Sequence, residues 1–125
     1  VGEKRPHKNL DGLVKAFAIF KEKYESRNIL LVLTGKKYST YHKYVTTAEK
    51  FGVKDSLIFT GFISDEDLKT IYSEAEALLF VSFYEGFGIP ILEAMECGIP
   101  VITSNISSMP EVAGEAALLV DPNNI

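Results

Sequence analysis

The chain has 125 residues, 46% of them hydrophobic, with a formal net charge of -4 and an isoelectric point near 5.2. That length suits one domain, and that composition buries a core without disulfide or metal staples. Lys and Arg are scattered, which excludes a surface built to gather nucleic acid, and the longest apolar runs, such as Ala77 to Val81, are too short for membrane insertion.

Leu10, Leu13, Val14, Phe17, Phe20 and Tyr24 recur at helical spacing, with Asn9 placed to cap the first turn. The apolar run Ile29 to Leu33 predicts a strand that closes on Thr34-Gly35. Tyr41, Tyr44, Val45, Ala48 and Phe51 form a second helical face that stops at Gly52, a residue suited to the left-handed position after a helix. Leu57 to Thr60 is a strand, and Ser64 caps a third helix that carries Leu68, Ile71 and Tyr72. Ala77 to Ser82 is the next strand. A fourth helix runs from Ile89 to Cys97, with Pro90 in its first turn and Gly98 just past its end. Val101 to Thr103 is a strand, Ser108 and Glu111 have the spacing of a capping box, and Ala117 to Val120 is the last strand.

Strands apolar on both faces and separated by amphipathic helices predict an α/β fold, a doubly wound parallel sheet of Rossmann-like type. Ligands of such sheets lie beyond the carboxyl ends of the strands, which here read Thr34-Gly35, Thr60-Gly61, Ser82 and Thr103-Ser104-Asn105. The segment Glu85-Gly86-Phe87-Gly88-Ile89-Pro90 joins a strand end to a helix start. Its glycines let a ligand approach the backbone, and the helix start offers unpaired N–H groups to a diphosphate. Glu85 and Glu93, with seven residues between them, accept hydrogen bonds but repel phosphate, which suits hydroxyls on either side of a diphosphate. Spacing alone favours the plainer reading, a first-turn acid that suits the helix dipole for Glu93 and a solvated loop acid for Glu85.

Taken together, Glu85-Gly86-Phe87-Gly88-Ile89-Pro90, Glu93-Ala94-Met95, Gly98-Ile99-Pro100-Val101-Ile102 and Pro110-Glu111-Val112-Ala113-Gly114 resemble the donor-binding, carboxyl-terminal domain of the retaining group 1 (family 4) glycosyltransferases of the two-domain GT-B type. The resemblance covers residues 1–125, with the acceptor domain absent. It implies a nucleoside diphosphate sugar, UDP- or GDP-linked, as the partner, no cofactor and no metal. Glu93 would hold the ribose hydroxyls and Glu85 the hydroxyls of the transferred hexose, with the loop from Gly86 through Phe87 and Gly88 to Ile89 near sugar and diphosphate. Lys8 aligns with the family's phosphate-binding lysine and would stabilise the leaving diphosphate. Relatives carry an arginine where this sequence has Glu3, so Arg5 is the candidate second cation. Ile63, Ser64 and Asp65 lie where relatives contact the base. A sugar-nucleotide epimerase, a phosphorylase-like domain and a non-catalytic nucleotide-binding module are the rival functions.

Asp65-Glu66-Asp67 spells a metal-binding pattern of other glycosyltransferases, but here it opens a helix after Ser64, where acids satisfy the dipole. Gly35-Lys36-Lys37 lacks the first glycine of a phosphate loop, and His7 and His42 have no ligand partners at zinc spacing. Cys97, the one cysteine, reads as core filler and fits a reducing, cytoplasmic setting. With no initiator Met and only Val1 before Gly2, the chain reads as a fragment whose first strand is truncated. An exposed sheet edge and self-association are therefore expected.

Overall fold

A computed structural model describes residues 5–24, 28–36 and 41–125. A single 3-10 turn, Pro6–Lys8, leads into α1, Leu10–Lys23. There follow β1 (Leu31–Thr34), α2 (Tyr41–Lys50), a second 3-10 turn (Lys54–Ser56) and β2 (Leu57–Gly61). The second half comprises α3 (Asp65–Glu74), β3 (Leu78–Phe80), α4 (Ile89–Glu96), β4 (Val101–Ser104), α5 (Met109–Ala113) and β5 (Leu118–Val120). Each predicted element is present, and every strand ladder is parallel, so the Rossmann-like α/β reading holds.

The expected single sheet is divided among the described residues into a β1–β2 ladder and a β3–β4–β5 ladder. Val1 and Gly2, on which the truncated-strand expectation rests, lie outside the described residues. Two clusters form the core. Leu13, Val14 and Phe17 of α1 pack with Leu31 and Leu33 of β1 and Ala48 of α2. Tyr72, Leu78, Phe80, Ile91, Ala94, Val101 and Met109 form the second cluster under α3, α4 and α5. Burial on both strand faces holds only in part: Val32 and Ile58, partners in the β1–β2 ladder, are 37% and 42% exposed. Strand alternation explains the difference, because it turns Leu31 and Leu33 toward α1 and Val32 to the opposite face.

Two of the expected caps are used differently. Asn9 stands at the start of α1 in the left-handed region, φ 52°, without a side-chain cap bond. Its amide instead donates to the carbonyls of Val81, at 3.2 Å, and Pro122, at 2.9 Å, tying the start of α1 to the second half of the chain. Gly12 is required beside it, since a Cβ there would meet Asn9 Oδ1 at 2.5 Å. Ser108 likewise makes no cap bond at the start of α5, and the expected capping box is not formed there. The cap at Ser64 does form, its hydroxyl oxygen accepting from the Asp67 N–H at 3.1 Å. Gly52 and Gly98 follow their helices at φ 70° and 74°, the conformation expected of them.

Candidate functional site

Polar groups are buried at the carboxyl ends of β3 and β4, where an apolar sheet has least reason to hold them. Ser82, Thr103 and Ser104 are each almost fully covered. Each hydroxyl has a partner: Thr103 donates to the Phe80 carbonyl at 2.8 Å, Ser104 to the Ser82 carbonyl at 2.6 Å, and Ser82 to Glu85 Oε1 at 2.6 Å. Buried donors without partners would each cost about 1–3 kcal/mol, so this network holds the strand ends in one arrangement.

The loop between β3 and α4 is clamped from the β4–α5 connection. The Ser108 hydroxyl lies 3.0 Å from the Glu85 carbonyl and 2.8 Å from that of Phe87. Ser107 bonds the backbone of the same residue twice, accepting from the Glu85 N–H at 3.2 Å and lying 3.0 Å from the Glu85 carbonyl. These contacts engage loop carbonyls through side chains from another segment. Gly88, at φ 105°, is the cap residue of α4 and has no side chain to occupy the first-turn amides. A Cβ on Gly88 would also meet Ile91 Cδ1 at 3.3 Å, so backbone and space both favour glycine there. At Gly86 a Cβ would meet nothing within 4 Å, which leaves open space beside the loop.

Lys8 and Glu85 meet directly. Lys8 Nζ lies 2.7 Å from Glu85 Oε1, with the two side chains only 15% and 12% exposed. The ammonium also sits 4.9 Å from the centre of the Phe80 ring. The Phe83 N–H donates to the His7 carbonyl at 2.7 Å, joining the same two segments through their backbones. Glu93, partly buried on α4, has its own partner in Tyr72 of α3, whose hydroxyl donates to Glu93 Oε2 at 3.0 Å. Burial first, then the Glu93 carboxylate, hold the Tyr72 hydroxyl protonated well above the ordinary tyrosine range. The Glu85 carboxylate of the loop thus meets the Lys8 ammonium of the 3-10 turn, and a second carboxylate, Glu93, lies one helical turn into α4.

Along its full length, residues 1–125, the chain matches the family described as glycosyl transferases group 1. It belongs to the group 1 glycosyltransferases. Among curated relatives of this glycosyltransferase domain, the O-antigen chain mannosyltransferase B of Escherichia coli is 40% identical over 126 residues, covering 100% of this chain and 32% of the relative. The O-antigen chain mannosyltransferase RfbU of Salmonella typhimurium is 36% identical over 125 residues, covering 99% and 34%. The domain therefore spans about a third of the length of these relatives. The crystal structure of the C-terminal domain of the group 1 family protein LpcC from Francisella tularensis superposes with a TM-score of 0.83 at 26% identity, covering 98% of this chain and 65% of that one. The glycosyltransferase domain is thus of the kind found at the carboxyl-terminal end of GT-B enzymes.

Of the residues singled out in the sequence, Lys8, Glu85, Gly86, Phe87 and Gly88 are brought to one loop, with Ile89 and Glu93 on the helix that follows. Arg5 is exposed, and its carbonyl accepts from the Lys8 N–H at 3.0 Å in the 3-10 turn. Ile63, Ser64 and Asp65 precede and open α3, where Ser64 also donates to the Asp67 carboxylate at 2.9 Å. Glu3 lies outside the described residues, as does Lys37. Sequence reading missed the hydroxyls of Ser82, Ser107 and Ser108 and the amide of Asn9 as organisers of the loop. Their one sequence signal was position at a strand end or helix start, which local capping explained equally well.

Proposed function

We propose that this domain holds a nucleoside diphosphate hexose and that the full-length protein transfers the hexose to an acceptor hydroxyl, with retention at the anomeric carbon and without a metal. The observation that carries this reading is the Lys8–Glu85 pair, largely buried beside the α4 start, whose cap residue offers no side chain. An ammonium suits a diphosphate, a carboxylate suits sugar hydroxyls, and first-turn amides suit an anion. An arriving phosphate competes with Glu85 for Lys8, and the carboxylate released from that bridge becomes an acceptor for the hexose.

In this reading Lys8, with Arg5, offsets the charge that develops on the leaving diphosphate. The peptide groups of Gly86, Phe87, Gly88 and Ile89 line the diphosphate and sugar, and Glu93 accepts from the ribose. Ile63, Ser64 and Asp65 lie by the base. The names of the two mannosyltransferase relatives make mannose the first hexose to test. We place the reaction in the cytoplasm, a reducing setting that suits the single cysteine of the chain. No helix among the described residues is long and apolar enough to cross a membrane. This domain alone binds donor and transfers nothing, since the acceptor hydroxyl requires a second domain.

Calorimetric titration with UDP, GDP and their hexose conjugates tests the reading. Binding by the wild-type chain and a loss of about tenfold or more in Lys8→Met, the scale of a lost charge-assisted bond, are expected. Absence of binding to every nucleotide, or turnover by the isolated domain, contradicts it.

A further inference from the structure

Tyr72 is 3% exposed, its ring set in the second core cluster with Leu78, Phe80, Ile91 and Ala94. Only its hydroxyl reaches out of that cluster toward a charged group, Glu93 Oε2, at 3.0 Å. The ring is fixed by packing, so the O–H is a fixed donor. Glu93 belongs to α4 and Tyr72 to α3, so the bond spans two helices. A glutamate on a helix surface has three side-chain torsions and loses that freedom when it binds a ligand. A donor already holding one carboxylate oxygen removes much of that loss before the ligand arrives.

We propose that Tyr72 is a positioning residue for nucleotide binding: its hydroxyl holds one oxygen of Glu93, presenting the other as an acceptor for ribose hydroxyls. This rests on the reading above that Glu93 contacts the ribose. Tyr72 does not touch the donor; it acts through Glu93. The bond also selects the ligand, because an acceptor held in place discriminates between a ribose that can donate to it and a sugar that cannot.

The test pairs two nucleotides, each with and without its ribose hydroxyls, with two variants. UDP and GDP are titrated calorimetrically alongside their 2′,3′-dideoxy counterparts, using the 125-residue chain, Tyr72→Phe and Glu93→Ala. Wild type prefers the ribonucleotide. Tyr72→Phe keeps the ring and lowers the thermal midpoint slightly through the one lost bond, and it weakens ribonucleotide binding about fivefold, the scale of ordering one long side chain, while dideoxynucleotide binding is unchanged. Glu93→Ala abolishes the preference. If Glu93→Ala leaves the preference intact, the ribose reading of Glu93 fails and this inference with it. If Glu93→Ala abolishes the preference but Tyr72→Phe retains it in full, Tyr72 alone is overturned. Equal weakening of both nucleotides by Tyr72→Phe also overturns it, since that marks a structural role.

Discussion

The two halves of the domain are held together by different means. The half built on α1, β1 and α2 packs through apolar side chains, and two of its side-chain polar pairs lie toward the surface, Thr47 with Asp11 at 2.7 Å and Lys54 with Glu49 at 2.6 Å. The half built on β3, β4 and α4 adds buried hydroxyls bonded to specific carbonyls, at Thr103 and Ser104. Apolar packing tolerates small displacements, whereas a bond to one carbonyl fixes a position to a fraction of an ångström. The first half contributes Lys8 to the Glu85 ion pair, and the second contributes a loop held by specific bonds. Asn9 and the Phe83 N–H to His7 carbonyl bond hold the two in register.

Substitutions that break this contrast differ in size. The largest effect is expected from Ile91→Ala, which empties a wholly buried site beneath the loop and should cost about 2–5 kcal/mol in urea denaturation. Asn9→Ala comes next. It removes two bonds between the halves and puts alanine at φ 52°, for a loss of about 3 kcal/mol by the same measurement. Gly88→Ala should cost about 2 kcal/mol, because backbone and Ile91 both oppose a Cβ. Gly86→Ala should stay within about 0.5 kcal/mol of wild type while weakening nucleotide binding, since its Cβ enters only open space.

The elements of the fold were legible in the sequence, whereas the contrast between its halves was not, for a physical reason. Periodicity placed the helices and strands, and Gly52, Gly98 and Ser64 ended or opened helices as local rules require. Those rules involve partners within a few residues. Asn9 and Ser108 satisfied the same local spacing, yet their partners lie 72, 113, 23 and 21 residues away, where no local rule reaches. The meeting of Lys8 with Glu85 was implied by family resemblance, as two ligands of one donor, but their direct bridge was not. Tyr72 was read as part of an apolar helical face, which its ring is; the hydroxyl's partner lies on another helix.

A small, pH-dependent effect belongs to the surface of the first half. The Thr47 hydroxyl, followed by Lys15, draws the Asp11 carboxyl below its ordinary value of 3.8. A carboxyl depressed in the folded state adds stability that is present above the unfolded value and fades as the pH falls through the folded one. Asp11→Asn should therefore cost under about 1 kcal/mol at neutral pH, with the difference from wild type vanishing in acid below 3.8. Stability curves of the two proteins against pH check it.

The central claim is that the Lys8–Glu85 bridge marks where a nucleotide sugar rests. A crystal structure of the chain with a nucleoside diphosphate hexose tests this most directly. The account predicts the pyrophosphate against the first turn of α4, Lys8 Nζ drawn from Glu85 onto a phosphate oxygen, and Glu85 on the hexose. A donor bound elsewhere, with the 2.7 Å bridge intact, would contradict it.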